Sequence, residues 1–300
     1  MAGSAIRAAL AGAGFKNLIC PTAEELDLLD QYAVLDFYYQ QKPDYVIETA
    51  TREDGLSANH PRARLLYETL QIQVNIIHGA YLARVKKLLL LAGSSVYPET
   101  AHPPVAEDQL LTGPPLPVLE SYAIAKIAGL KMCQAYREQY GCHFVALLPA
   151  TLYGANDSFS PTTPRLLPSL LQSLHEARLR DLPVVRVLGS GSRRREFLYV
   201  DDLASACLFV LDQPDPPSLL NVGVGEDVSV QELSQLIKGI VGYRGDIEFE
   251  SMKSDNGPRR WLCVRKLFDL GWRPRIPLSA GLRYTYEWFL TRPPRDQQLN

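Results

Sequence analysis

Lys86-Lys-Leu-Leu-Leu-Leu-Ala92 runs directly into Gly93-Ser-Ser-Val-Tyr-Pro98, and the fold follows from how that junction is read. The leucine run has no inside–outside alternation, so it reads as a strand buried on both faces, as in a parallel sheet covered by helices. The small, hydroxyl-rich hexapeptide then marks the carboxyl end of that strand, the edge at which open α/β sheets bind ligands. Upstream the same rhythm is visible: a helix from Gly3 to about Gly12, an apolar run Asn17 to Cys20, a helix Glu24 to Gln41, a strand Asp44 to Ala50 and a helix Pro61 to Leu82. Downstream come a helix carrying Tyr122 and a strand His143 to Leu148. This alternation predicts a doubly wound, Rossmann-like parallel α/β sheet over residues 1–155.

After Gly154 the punctuation changes. Ser158 to Pro168 holds three prolines, followed by a helix to about Arg180 and a strand Leu182 to Leu188. Glu196-Phe-Leu-Tyr-Val-Asp-Asp202 is expected to open a helix on an aspartate cap. Leu220-Asn-Val-Gly223, a helix Ser229 to Val241, a strand near Ile247 and a terminal helix Ser279 to Leu290 complete the chain. Residues 156–194 and 225–300 are expected to form a smaller substrate lobe, with 195–224 returning to the sheet.

Composition narrows the function. A net charge of −2 leaves no basic excess for a phosphate backbone, so nucleic acid is not an expected partner. The longest apolar stretch near a strand, Leu88 to Ala92, is far short of the roughly 20 residues that span a bilayer, and no basic-then-apolar leader opens the sequence. A cytoplasmic protein is expected. The five cysteines, Cys20, Cys133, Cys142, Cys207 and Cys263, are scattered without CxxC spacing, against both a disulfide framework and a zinc site. They are expected to be reduced and mostly buried.

The chemistry is concentrated in Tyr122-Ala-Ile-Ala-Lys126. A spacing of four puts both side chains on one helix face. There the ammonium lowers the phenol's pKa from about 10 and lets it exchange protons nearer neutrality, which is what carbonyl reduction needs. Tyr38 and Lys42 repeat the spacing just before Pro43, where a surface position is expected. Tyr122 differs in its company, namely the Gly93 to Pro98 turn before it and a strand ending Leu148-Pro-Ala-Thr-Leu-Tyr-Gly154 after it.

These segments resemble the extended short-chain dehydrogenases, and within them the GDP-L-fucose synthases, NADPH-dependent epimerase-reductases of GDP-4-keto-6-deoxy-mannose. The resemblance runs through Met1-Ala-Gly-Ser-Ala-Ile-Arg7, Glu25-Leu-Asp-Leu-Leu-Asp30, Asn75-Ile-Ile-His78, Tyr122 to Gly129, Gly189-Ser-Gly191, Arg195-Glu-Phe197 and Val200-Asp-Asp202. It implies NADP(H) as cofactor, a GDP-sugar as substrate, and a homodimer. Tyr122 would donate the proton to the C4 alkoxide and Lys126 would hold the nicotinamide ribose. Leu91, Ala92, Gly93, Ser94, Pro149, Ala150, Thr151, Leu152 and Arg165 would line the cofactor, while Arg195, Leu188, Ser173 and Cys263 would meet the nucleotide sugar.

The departures are as informative. The family's ketone-binding Ser or Thr is Gly93 here, with Ser94 adjacent; its epimerase cysteine is Ser95 and its epimerase histidine is Arg165. Serine is a poor base and arginine does not release its proton, so reduction without C3/C5 epimerisation is expected. Thr151, Leu188 and Cys263 replace the family's asparagine, tryptophan and aspartate, and Ala23 stands where a basic residue would meet the NADP 2′-phosphate. Of the Gly-x-x-Gly-x-x-Gly turn only the last glycine is present, as Gly3. The first strand of the architecture, expected between the strands at Asn17 and Lys87, is therefore missing: either the sheet rearranges or, the expectation favoured by analogy with the family, the natural start lies about 14 residues upstream of Met1. A non-catalytic member that binds a nucleotide sugar or a protein partner is the alternative.

Overall fold

The leucine run is the second strand of a four-stranded parallel sheet. In the computed structural model, which describes residues 1–50, 62–160, 165–250 and 260–291, the first half of the chain contributes α1 (Ala2–Gly12), α2 (Gln31–Gln41), β1 (Tyr45–Glu48), α3 (Arg62–Leu82), β2 (Lys87–Leu91), α4 (Glu120–Tyr140) and β3 (Phe144–Pro149). The second half adds β4 (Thr151–Tyr153), α5 (Leu166–Leu179), β5 (Val184–Leu188), β6 (Arg194–Arg195), β7 (Phe197–Tyr199), α6 (Val200–Asp212), β8 (Leu219–Val222), β9 (Val228–Ser229), α7 (Val230–Val241), β10 (Asp246–Glu250), α8 (Arg265–Asp269) and α9 (Leu278–Leu290).

The sheet order is β1-β2-β3-β8, all parallel, with Leu88 opposite Phe144 and Val46 opposite Leu88. Every residue of β2 and β3 is buried, which explains the missing alternation: both faces of these strands meet helices. Lys87, at the start of β2, is buried too. Its ammonium donates to the Val210 and Leu211 carbonyls at the end of α6, filling the helix's open acceptors and fastening α6 to the sheet. A second core gathers α5, α7, α9, β5 and β10 around Leu171, Leu174, Leu233, Ile237 and Leu282. The α7 helix opens on a reciprocal capping box, the Ser229 hydroxyl accepting from the Glu232 amide and the Glu232 carboxylate from the Ser229 amide. Leu262, Val264, Leu267 and Trp272, from the stretch expected in the second lobe, are buried in the first core instead.

Several local expectations are corrected. Asn17 to Cys20 forms no strand; it is largely exposed and joins none of the sheets among the described residues. Among the described residues β1 and β8 are the strands of the four-stranded sheet partnered on one side only, whereas β2, the expected neighbour of a gap, is flanked on both sides. The second helix starts at Gln31 rather than Glu24, since the Asp30 carboxylate accepts from the Tyr32 and Ala33 amides and fixes the start. Tyr38 is core rather than surface: its ring packs against Gly79, its hydroxyl donates to the Ile76 carbonyl, and burial pushes its phenol up. The α6 helix has no aspartate cap. Asp202 turns inward and accepts from the Arg275 and Ile276 amides, anchoring a distant loop. Cys133 and Cys207 are buried, Cys142 and Cys263 half-buried, and Cys20 exposed, all as free thiols. Pro61, the expected start of α3, and Pro161 to Pro164 of the proline-rich stretch lie outside the described residues.

Candidate functional site

One helical turn separates Tyr122 from Lys126 near the start of α4, and both side chains point into the protein. The Tyr122 hydroxyl donates to the Ala92 carbonyl at 3.0 Å, which places it at the carboxyl edge of β2. The Lys126 ammonium, with no accessible surface, reaches the edge strand and lies 3.3 Å from Glu48 Oε2. Glu48 is the last residue of β1 and is itself buried. Burial pushes its carboxyl up, against the pull of Lys126. Sequence reading passed over Glu48 because a single acid in a short strand looks solvent-facing.

Past Ala92 the backbone turns at Gly93, whose φ of +104° favours glycine, and Ser94–Val96 form a single 3-10 turn. A Cβ at Gly93 would meet nothing within 4 Å, so the space above it is open. Serine could not take the position without strain, because the dihedral and not the volume excludes it. Ser94 and Ser95 are half-buried and their hydroxyls make no hydrogen bond among the described residues. The turn is held from below: the Tyr97 hydroxyl donates to Asn221 Oδ1 at 2.7 Å, and Asn221 Nδ2 donates to the Val105 and Cys263 carbonyls. Glu107 completes the network by accepting from the Asn221 amide. Cys263 thus contributes its carbonyl to this network. Leu91 ends β2 alongside Leu147, and Pro149 and Ala150 are tied to Val222 of β8 at the same sheet edge.

A second group of residues lies across β4 and β7. A cavity of about 220 Å³ is lined by Thr151, Leu152, Arg165, Leu166, Leu167, Pro168, Arg195 and Phe197. Arg195 and Phe197 also line a neighbouring cavity of about 300 Å³, with Glu226, Asp227 and the Pro274–Leu278 loop that Asp202 anchors. Three of the expected cofactor residues, Thr151, Leu152 and Arg165, and one expected nucleotide-sugar residue, Arg195, are therefore brought together. Arg165 is not free in this cavity: it forms an ion pair with the buried Asp157 and donates to the Leu152 carbonyl at 2.9 Å. Among the three consecutive arginines, Arg194 is structural, paired with Asp227 and Glu232. Arg195 forms a β-bridge with Arg260, and the Nε atoms of both are buried without a hydrogen-bond partner among the described residues. Burial pushes both guanidinium groups down, Arg195 further through Arg193 and Arg260, and Arg260 through Arg193. Arg260 Nη2 donates to the Pro98 carbonyl, linking this cationic cluster to the serine turn. Arg260 was missed in the sequence, where it stands in a plain Arg-Arg pair.

Glu196 fixes the cluster's backbone. Its Oε1 accepts from the Val224 and Gly225 amides and its Oε2 from the Leu262 amide, at 2.7–2.8 Å. Glu196→Gln is expected to destabilise the protein by about 1–3 kcal/mol, because an amide nitrogen must then face a backbone donor. Burial pushes the Glu196 carboxyl up to about 7 from 4.5. Its native state therefore holds a proton that the unfolded chain has lost, so its contribution falls as pH rises from about 4.5 to about 7. Denaturant unfolding at pH 5 and pH 8 checks both points: the glutamine variant loses that slope.

The remaining expected site residues are scattered. Gly3 lies in the first turn of α1, where an added Cβ would come within 3.0 Å of the Thr49 hydroxyl just past β1. Leu188 is 72% exposed at the end of β5, and Ser173 is exposed on α5; neither lines either cavity.

Comparison with known proteins places these groups in context. Residues 1–223 match the model of the NAD dependent epimerase/dehydratase family. The chain is 47% identical over 291 residues to a putative GDP-L-fucose synthase 2 of Arabidopsis thaliana, covering 97% of this chain and 89% of that protein. It is 43% identical to the GDP-L-fucose synthase of Escherichia coli, over 97% of this chain and 94% of that protein. Among solved structures, a GDP-mannoheptose C4 reductase of Campylobacter jejuni with NADP bound superimposes with a TM-score of 0.87 at 34% identity, covering 97% of this chain and 95% of that one.

Proposed function

We propose that this chain, which belongs to the NAD dependent epimerase/dehydratase family and within it to the GDP-L-fucose synthases, reduces the C4 ketone of a GDP-4-keto-6-deoxy sugar with NADPH and does not epimerise C3 or C5. The observation that carries the reading is the dyad itself: a phenol held at the carboxyl edge of β2, one turn from a buried ammonium.

The groups present fit a dinucleotide's nicotinamide end and a nucleotide sugar. Among the described residues the space over Gly93 is open, two hydroxyls beside it are unengaged, and two buried guanidinium nitrogens lack an acceptor. NADP(H) supplies the hydride to C4. Tyr122 gives the oxygen of the former ketone its proton, moving from the Ala92 carbonyl to the substrate, and Lys126 favours the phenolate left behind. Ser94 or Ser95 donates a hydrogen bond to the ketone in the place of the hydroxyl lost at Gly93. Arg195 and Arg260 neutralise the substrate diphosphate, for which planar, multiply donating side chains are well suited. The labour divides along the two cores, with the sheet holding the dinucleotide and the α5, α7, α9 core closing over the sugar nucleotide. We place the enzyme in the cytosol as a homodimer through α3 and α4, whose outer sides expose Tyr67, Val74 and Ile124; sedimentation equilibrium reads that assembly directly.

Epimerisation needs a base and an acid on opposite ring faces. Ser95 offers no thiolate, and Arg165 is committed to Asp157 and the Leu152 carbonyl. Purified protein mixed with NADPH and GDP-4-keto-6-deoxy-mannose in deuterium oxide is expected to consume NADPH absorbance and leave no deuterium at C3 or C5. Binding of both ligands without NADPH loss would refute the reductase reading, and deuterium at either carbon would refute the missing epimerase.

A further inference from the structure

We propose that Glu48 is a positioning residue of the proton-donating dyad: it holds the buried Lys126 ammonium against the end of β1 and thereby sets how readily Tyr122 yields its proton. The inference rests on the reductase reading for its consequence, but its geometry stands apart from it. Lys126 has no accessible surface, and Glu48 Oε2, 3.3 Å away, is its one hydrogen-bond acceptor among the described residues. An ammonium in such a place needs a counter-ion, because the loss of hydration costs more than packing returns. Glu48 supplies it from an element other than the helix that carries the dyad. Its second oxygen, Oε1, is buried without a hydrogen-bond partner among the described residues, and apart from the pull of the Ala50 amide the carboxylate is engaged through Lys126. The other titratable groups facing Glu48 are Tyr38 from α2 and Cys133 from α4, both neutral because burial pushes the phenol and the thiol up. Among the described residues no other acid pairs with Lys126, and its position is Glu48's to set.

The test is Glu48→Gln, read in two ways. With its counter-ion gone the ammonium is no longer held in the core beside the phenol, so in the pH profile of ketone reduction the alkaline limb, where Tyr122 loses its proton, is expected to move up by about one unit. The kcat near neutrality is expected to fall about 10-fold with the KM for the nucleotide sugar unchanged. Independently of turnover, 13C-ζ tyrosine NMR, with the Tyr122 resonance assigned by its loss in Tyr122→Phe, is expected to show the same upward shift. An unmoved or lowered Tyr122 titration overturns the proposal. An upward shift in a protein that does not turn over upholds it and removes the reductase reading alone. If Glu48→Gln does not fold, Glu48→Asp carries the test: retracting the carboxylate by one methylene moves the resonance in the same direction by less, and no movement overturns the proposal.

Discussion

Tyr122→Phe is expected to lower kcat for ketone reduction by about 100- to 10,000-fold, the range that a positioned general acid contributes. Dissociation constants for NADPH and the nucleotide sugar should change little. The variant deletes one oxygen from a side chain whose ring stays buried against the sheet, and Arg195, Arg260 and the serine turn are left in place. The structural cost is one hydrogen bond, that from the Tyr122 hydroxyl to the Ala92 carbonyl, worth about 1 kcal/mol. Stopped-flow NADPH oxidation under single-turnover conditions, with calorimetric binding of each ligand, separates the two effects. A variant that keeps a tenth or more of the wild-type rate would show that the proton comes from elsewhere, with Ser94 or Ser95 as the next candidates. The pH dependence adds a second check. The wild-type rate should fall at alkaline pH as Tyr122 ionises, whereas the residual rate of the phenylalanine variant should lack that limb.

Where burial makes a residue pattern unambiguous, the fold could be read from the chain. The leucine run of β2, the β3 strand and the α7 helix all stand where the sequence pattern puts them. Asn17 to Cys20 failed because an apolar run is only a strand if a partner stands beside it, a tertiary condition that no local pattern contains. Tyr38 and Tyr122 share a spacing and are both buried, yet the first hydroxyl serves the Ile76 carbonyl within the core and the second lies at the sheet's ligand edge. Spacing fixes the helix face; only the fold says what that face meets. The same limit hid Glu48 and Arg260, whose roles come from neighbours 78 and 65 residues away in the chain, Lys126 and Arg195. Asp202 was visible as a cap candidate, but its carboxylate found two amides on a distant loop instead.

Lys126→Met is expected to destabilise the fold by about 3–5 kcal/mol, apart from its effect on turnover. Removing the ammonium leaves the Glu48 carboxylate buried at the sheet edge without its counter-charge. Burial already pushes that carboxyl up with Lys126 present, and the variant removes the favourable charge, so Glu48 folds comfortably only when protonated. The sign of the pH dependence follows. A carboxyl raised in the native state contributes its full stability below its unfolded value of 4.5 and loses it as pH rises through the folded value. The penalty of Lys126→Met should therefore be small near pH 4.5 and grow toward neutrality. Urea unfolding of wild type and variant at pH 5 and pH 8 measures it, and equal penalties at the two values would mean that Glu48 bears no charge in the native protein. The double variant Glu48→Leu/Lys126→Met decides between charge and packing. Replacing both partners by apolar side chains removes the uncompensated ion, so stability should return to within about 1 kcal/mol of wild type or exceed it. Ketone reduction should stay low in the double variant, because a core that folds well without the pair still lacks the ammonium beside Tyr122. Recovered stability without recovered turnover would mean that the pair is retained for the dyad's chemistry rather than for the sheet's integrity.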